Sequence, residues 1–204
     1  MPELDAPADE TLVQRVLAGD QDSFAELIRR YEVRIVNTLY RLVGQLDDAH
    51  DLAQEVFIRV YQALDRFDPQ FRFSTWVFRI ANNLAIDHLR RRRVRPLSVS
   101  LSREASGGED LPPLDLVDER ADPGAELERN QAGRLMRRLL TRLPWEYREL
   151  LVLRHYGELA YEEIAALKGI PLGTVKNKLF RARQMLRGML EAEKQKQTFR
   201  EKYP

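Results

Sequence analysis

Apolar residues recur at helical spacing along most of this chain and strand-like alternation is nearly absent, so the pattern predicts an all-α protein. Leu12, Val13, Val16 and Leu17 mark a first helix that breaks at Gly19 and Asp20. Behind a cap at Asp22 or Ser23, residues Phe24, Leu27, Ile28 and Tyr31 stand at i, i+3, i+4 and i+7, the spacing of one buried face. That helix continues, kinked or straight, through Ile35, Val36, Leu39 and Leu42 to a stop at Gly44. A third helix, about Asp47 to Leu64, buries Leu52, Val56, Val60 and either Ala63 or Leu64. After a loop from Phe67 to Ser74, Ser74 or Thr75 caps a long helix that reaches about Arg93 and turns Val77, Ile80, Ala81 and Leu84 inward.

Periodicity then stops. From Arg95 to about Glu128 an acidic run is punctuated by Pro96, Gly107, Gly108, Pro112, Pro113, Pro123 and Gly124, the composition of a linker with few buried contacts. At about 3.3 Å per residue it would reach on the order of 100 Å when extended. Leu135, Met136, Leu139, Leu140 and Leu143 then form an amphipathic helix closed by Pro144, and another from about Trp145 carries Leu150, Leu151, Leu153 and Tyr156 to Gly157. The expected organisation is two small helical domains, residues 1–94 and 129–190, joined by a flexible acidic linker, 95–128, and followed by a charged tail, 191–204.

The most specific stretch is Tyr161 to Leu186. Ile164, Ala165 and Leu167 give a short apolar face, Gly169 stands where a sharp turn favours a residue without Cβ, and Pro171 suits the first turn of the next helix. Val175, Leu179, Ala182 and Leu186 then form one stripe at i, i+4, i+7 and i+11, which points Thr174, Asn177 and Arg181 the other way, flanked by Lys176, Lys178, Phe180 and Arg183. This is helix-turn-helix spacing with amide and guanidinium groups for base edges and cations for phosphates.

Charge adds to this picture. The formal net charge of +1 conceals basic blocks at Arg90–Arg95 and Lys176–Lys202 against an acidic block at Glu104–Glu128, a balance that suits a nucleic-acid binder with protein partners. No cysteine is present, so there is no disulfide framework or thiolate metal site. The acidic, polar start is unlike a signal peptide and no apolar run approaches membrane-spanning length; a soluble, cytoplasmic protein is expected.

On the third helix Asp48, Asp51 and Glu55 share one face. No histidine falls at ligand spacing, which leaves a solvated acidic face or a docking surface as the readings. On the fourth, Trp76, Arg79, Asn83, Asp87 and Arg90 share a side, and rings interleaved with cations and amides suit single-stranded nucleic acid. Phe78 reads as core, whereas Phe71 and Phe73 are balanced between core and binding. Consecutive arginines from Arg90 to Arg93 repel one another unless anions are near, which favours phosphate contact over a solvated helix end. His50, His88 and His155 read as surface or packing residues.

Four segments resemble one family. Gly173 to Arg183, G-T-V-K-N-K-L-F-R-A-R, resembles the recognition helix of the sigma-70 superfamily, especially its extracytoplasmic-function (ECF) group. Asp47 to Phe57, D-D-A-H-D-L-A-Q-E-V-F, resembles the polymerase-binding motif of sigma region 2, and Phe73 to Arg92 resembles the promoter-melting segment. Leu143 to Arg154, L-P-W-E-Y-R-E-L-L-V-L-R, resembles sigma region 4, from which Trp145 is a modest departure.

The resemblance implies a dissociable subunit of RNA polymerase with no catalytic site and no cofactor. Asp48, Asp51, Gln54, Glu55 and Phe57 are implied to pack on the clamp coiled coil of the large polymerase subunit, with the flap of the second subunit a further contact. Minus-10 DNA falls to Phe71, Arg72, Phe73, Ser74, Trp76, Arg79, Asn83, Arg90 and Arg91. Minus-35 duplex falls to Asn177 and Arg181 at base edges, Lys176 and Phe180 in support, and Thr174, Lys178 and Arg183 at phosphates; many family members carry serine where Asn177 stands. The linker would thread the polymerase channels, and an anti-sigma factor is an implied partner. A rival reading is a helix-turn-helix regulator that binds a palindrome as a homodimer. An enzyme with a DNA-binding tail is the other, but it lacks a Gly-rich phosphate loop, a histidine metal motif or a nucleophile with its base.

Overall fold

The computed structural model describes residues 7–94 and 123–202, so most of the expected linker lies outside the described residues. Among the described residues there are eight α-helices, a short 3-10 turn and no strand. They divide into two compact units, α1–α4 and α5–α8.

The first unit is built around α2 (Gln21–Val43), which packs against α1 (Asp9–Leu17), α3 (Leu46–Gln62) and α4 (Phe73–Val94). Leu27, Ile35, Leu39, Leu42, Val56, Val77 and Leu84 are buried, the same positions that the periodicity turned inward. Asp20 caps α2, two residues before Asp22 and three before Ser23, because its extended backbone lets the carboxylate accept from the Asp22 and Ser23 amides. The Ser23 hydroxyl also donates to it at 2.7 Å. This bond above all holds the Asp20 carboxyl below its usual range. The cap's contribution is therefore complete above the ordinary carboxylate pKa and is lost as pH falls through the lowered folded value. Helix α2 runs as one element to Val43 and ends at Gly44, whose φ of 85° is left-handed and favours glycine.

Asp9 fastens α1 to α2 by accepting from Arg30 at 2.9 Å and from the Tyr31 hydroxyl. Burial, with that bond, pushes the Tyr31 pKa upward, so the phenol keeps its proton and its donor role. Of the two candidates closing the third helix, Leu64 is the buried one, and it lies in the 3-10 turn Leu64–Arg66 just beyond α3. The α4 helix starts at Phe73, so Ser74 and Thr75 sit inside its first turn, where the Trp76 amide donates to the Arg72 carbonyl.

In the second unit α8 (Leu172–Lys202) packs on α5 (Pro123–Arg142), α6 (Trp145–His155) and α7 (Tyr161–Lys168). Leu139, Leu140, Leu143, Leu150, Ile164, Val175, Leu179 and Ala182 are buried. Glu149, buried on α6, accepts from Lys168 of α7 at 2.9 Å and so ties the two helices. Helix α5 begins several residues before the expected start near Asn130. Pro123 takes the first helical position, where a missing N–H is harmless, and the good helix formers Ala125, Glu126, Leu127, Glu128 and Arg129 follow Gly124. Likewise α8 runs through the charged tail, whose Glu, Ala, Lys and Gln are good helix formers.

Candidate nucleic-acid interface

The turn between α7 and α8 is set by Gly169 at φ 63°, where the Gly169 and Ile170 amides both donate to the Ala165 carbonyl. The Glu163 carboxylate reaches back to the Ala160 amide at 2.7 Å and fixes the start of α7. The Pro171 carbonyl accepts from the Thr174 and Val175 amides and opens α8. Val175, Leu179 and Ala182 have no exposed surface, whereas Leu186, expected to continue their stripe, is half-buried.

The opposite side of α8 presents Lys176, Asn177, Phe180, Arg181 and Arg183, with Phe180 60% exposed. A phenylalanine this open beside amide and guanidinium groups suits the methyl and base-edge chemistry of a duplex groove. Two of the expected phosphate contacts are otherwise engaged. Lys178 donates to Glu146 at 2.6 Å and Arg183 to the Tyr161 hydroxyl at 2.9 Å. Neither pairing was foreseen, since Glu146 and Tyr161 lie on other helices at no sequence-periodic distance. Thr174 is half-buried. His155, exposed at the end of α6, is held below the ordinary histidine range by partial desolvation and then by the charges of Arg183 and Arg154.

On α4, Arg79, Asn83 and Arg90 are exposed and Trp76 half-buried along one side. The two phenylalanines left open by the sequence part company. Phe73 is 2% exposed within an aromatic nest, its ring centroid 5.5 Å from Tyr31, 5.6 Å from Phe67 and 5.9 Å from Trp76. Phe71 is 55% exposed. Phe73 thus acts as core, packed against Trp76 and Phe67 of the preceding loop. Arg72 is exposed and Ser74 half-buried beside it. At the far end Arg90 lies 3.9 Å from the Asp87 carboxylate, while Arg91 donates to the Asp87 carbonyl at 3.4 Å.

A measurable contrast follows. Phe73→Ala should destabilise the chain by about 3–5 kcal/mol, the usual loss for a buried phenylalanine. Phe71→Ala should leave thermal unfolding within about 0.5 kcal/mol of the parent, while binding of single-stranded DNA should weaken by a stacking contribution of about 1–3 kcal/mol. Thermal melts and a single-strand binding titration separate the two.

Helix α3 turns Asp51 and Gln54 to solvent with Glu55 and Phe57 partly covered. Glu55 is paired with Arg59 at 2.7 Å. Ile58 and Tyr61, 51% and 49% exposed, prolong this face, and Tyr61 meets Phe24 edge-on at 5.0 Å. Beside them lies an apolar groove of about 340 Å³ lined by Gln21, Phe24, Ala25, Ile28 and Tyr61. Asp48 departs from this face: its carboxylate turns toward α4, 3.2 Å from both His88 Nε2 and Arg92 Nη1. Among the described residues no cluster of His, Cys, Asp and Glu suits a metal, and no helix is long and apolar enough to cross a membrane.

Two all-helical units, one with a helix-turn-helix and one with an aromatic and basic helix beside an acidic helix face, define a nucleic-acid-binding protein. Comparison with known proteins sharpens this. The family description "Sigma-70 region 2" matches residues 27–95, and "Sigma-70, region 4" matches 133–186. The ECF RNA polymerase sigma factor SigW of Bacillus subtilis is 36% identical over 179 residues, covering 87% of this chain and 94% of that protein. The ECF sigma-E factor of Escherichia coli K12 is 35% identical over 178 residues, 87% and 92% of the two chains. CnrH, solved in complex with the cytosolic domain of CnrY, shares 26% identity with a TM-score of 0.66 over 91% of this chain and 99% of its own. The chain belongs to the ECF group of the sigma-70 family, and its function is promoter-specific initiation of transcription with RNA polymerase. Membership in this group of specificity subunits sets aside the palindrome-binding regulator.

Proposed function

We propose that this sigma factor grips a promoter with two chemically different faces while riding on core polymerase, and that it has no catalytic centre of its own. The α8 face reads minus-35 duplex in the major groove, with Asn177 and Arg181 at base edges, Phe180 and Lys176 beside them, and Thr174, Lys178 and Arg183 toward phosphates. The α4 face takes the melted non-template strand of the minus-10 element. There Phe71 and Trp76 offer stacking surface, Arg79 and Asn83 polar contacts, and Arg72, Ser74, Arg90 and Arg91 the approach to the backbone.

Supporting this division most directly is the exposure of Phe71 and Phe180, one on each unit, amid basic and amide side chains, whereas Phe73 close to the first is buried. Unstacking a base costs a few kcal/mol, and an open aromatic ring is the group able to return it.

Core polymerase docks on α3 through Asp51, Gln54, Glu55 and Phe57. Carboxylates followed on the same face by Ile58 and Tyr61 suit a helical partner that alternates arginines with apolar residues, such as the clamp coiled coil. The flap of the second subunit takes the other unit, and an anti-sigma factor holds the protein idle in the cytoplasm. Residues 1–94 and the unit that begins with α5 at Pro123 make up the two working domains, joined by the intervening linker in the polymerase channels. The decisive experiment adds the purified chain to core polymerase and sequences the start sites of the transcripts. New starts sharing a minus-35 and a minus-10 element support the reading, and core polymerase that initiates no differently sinks it.

A further inference from the structure

We propose that Asp48 is a positioning residue for the DNA-facing helix, a counter-charge that occupies Arg92 and limits how readily the basic end of α4 holds phosphates. The proposal rests on the reading of α4 as a DNA-binding helix. Sequence periodicity places Asp48 with Asp51 on a docking face, three residues away along α3. The structure turns it elsewhere. One oxygen, Oδ2, accepts from Arg92 Nη1 at 3.2 Å and lies 3.2 Å from His88 Nε2, at ion-pair distance though outside hydrogen-bond alignment. The Asp48 side chain is 33% exposed and that of Arg92 is 53% exposed, while His88 is 20% exposed between them.

These exposures decide what the contact does. A brace that held α4 on α3 would be buried, yet that work falls to Val56, Val60, Ala81, Leu84 and Ala85, each at most 1% exposed. A half-exposed ion pair is weak in water and is easily exchanged. A nucleic-acid phosphate offers a guanidinium the same two-oxygen geometry as a carboxylate, with more charge along a strand that other arginines also hold. DNA can therefore displace Asp48 from Arg92, but must do so at every encounter. Among the described residues no carboxylate of another helix meets Arg90 or Arg91, which contact Asp87 of α4 itself.

The consequence is the same for every sequence. Binding to non-promoter DNA is almost entirely phosphate neutralisation, whereas promoter binding also draws on base contacts. A carboxylate that taxes one phosphate contact weakens both by about the same factor. Asp48 thereby loosens the hold on all DNA and leaves the choice of sequence to the base contacts.

The test uses holoenzyme made from the full chain and core polymerase. Binding is measured over a range of salt concentrations to a non-promoter duplex and to a promoter fork taken from the mapped start sites. Asp48→Asn keeps the shape and an acceptor but removes the charge. It should tighten non-promoter binding by about three- to tenfold and steepen the salt slope by about one. Association with core polymerase should stay unchanged, unlike that of Asp51 variants. In an Arg92→Gln background both gains should disappear, a dependence that a merely structural role for Asp48 would not show. Unchanged affinity and slope in Asp48→Asn overturn the proposal, as does loss of polymerase association, which would return Asp48 to the docking face. Should wild-type holoenzyme itself ignore promoter DNA, the underlying functional reading fails instead, so the two failures are distinguishable.

Discussion

Reversing Asp51 and Glu55 to lysine should abolish association with core polymerase while the chain stays folded. Both residues lie on α3 one turn apart, Asp51 exposed and Glu55 with a 43% exposed side chain, so neither substitution enters the core. At Glu55 the change does break the pair with Arg59 and places two cations at i and i+4. Such helix-surface pairs are worth only about 0.2–0.5 kcal/mol, too little to unfold a domain whose core is elsewhere. At an interface with a cationic helix the balance is different. Removing one partner from a desolvated charge pair costs about 2–5 kcal/mol, and reversing its sign adds repulsion. With about 1.4 kcal/mol per decade, two reversals move the dissociation constant by three orders of magnitude or more. Co-migration with core polymerase in gel filtration, alongside a far-UV circular dichroism spectrum, reads both halves. A folded variant that still co-purifies would remove α3 from the docking role.

Most of this fold was legible because helix periodicity is a local property. The inward positions of α2, α3 and α4 and the buried stripe Val175, Leu179 and Ala182 need no knowledge of neighbours. What escaped depended on contacts between elements. Phe71 and Phe73 are separated by a single residue in one aromatic-rich loop, and only the nest of Tyr31, Phe67 and Trp76 around the second tells them apart. Asp48 and Asp51 share a helix face, yet the path of α4 draws the first toward Arg92. Asp20 displaced Asp22 and Ser23 as the cap because backbone conformation, not residue type, selects among adjacent candidates. Glycine and proline misled at the start of α5, since Pro123 at a first helical position begins a helix as readily as it ends one.

The same distinction between residue type and surroundings bears on the recognition helix. Arg181→Ala should weaken minus-35 binding by about 1–3 kcal/mol and relax preference at the contacted base, because a forked guanidinium reads a guanine edge with two bonds. Its side chain is exposed on the face opposite Val175 and Leu179, so stability should not change. Lys178→Ala should instead weaken every sequence alike and flatten the salt dependence by about one. Its effect is tempered by Glu146, which already holds the ammonium at 2.6 Å and so competes with phosphate for it. Holoenzyme binding to a library randomised in the minus-35 element, repeated at several salt concentrations, separates a change of preference from a uniform loss. If both variants lowered binding identically across the library, Arg181 would be another phosphate contact and α8 would have to read bases through Asn177 and Phe180.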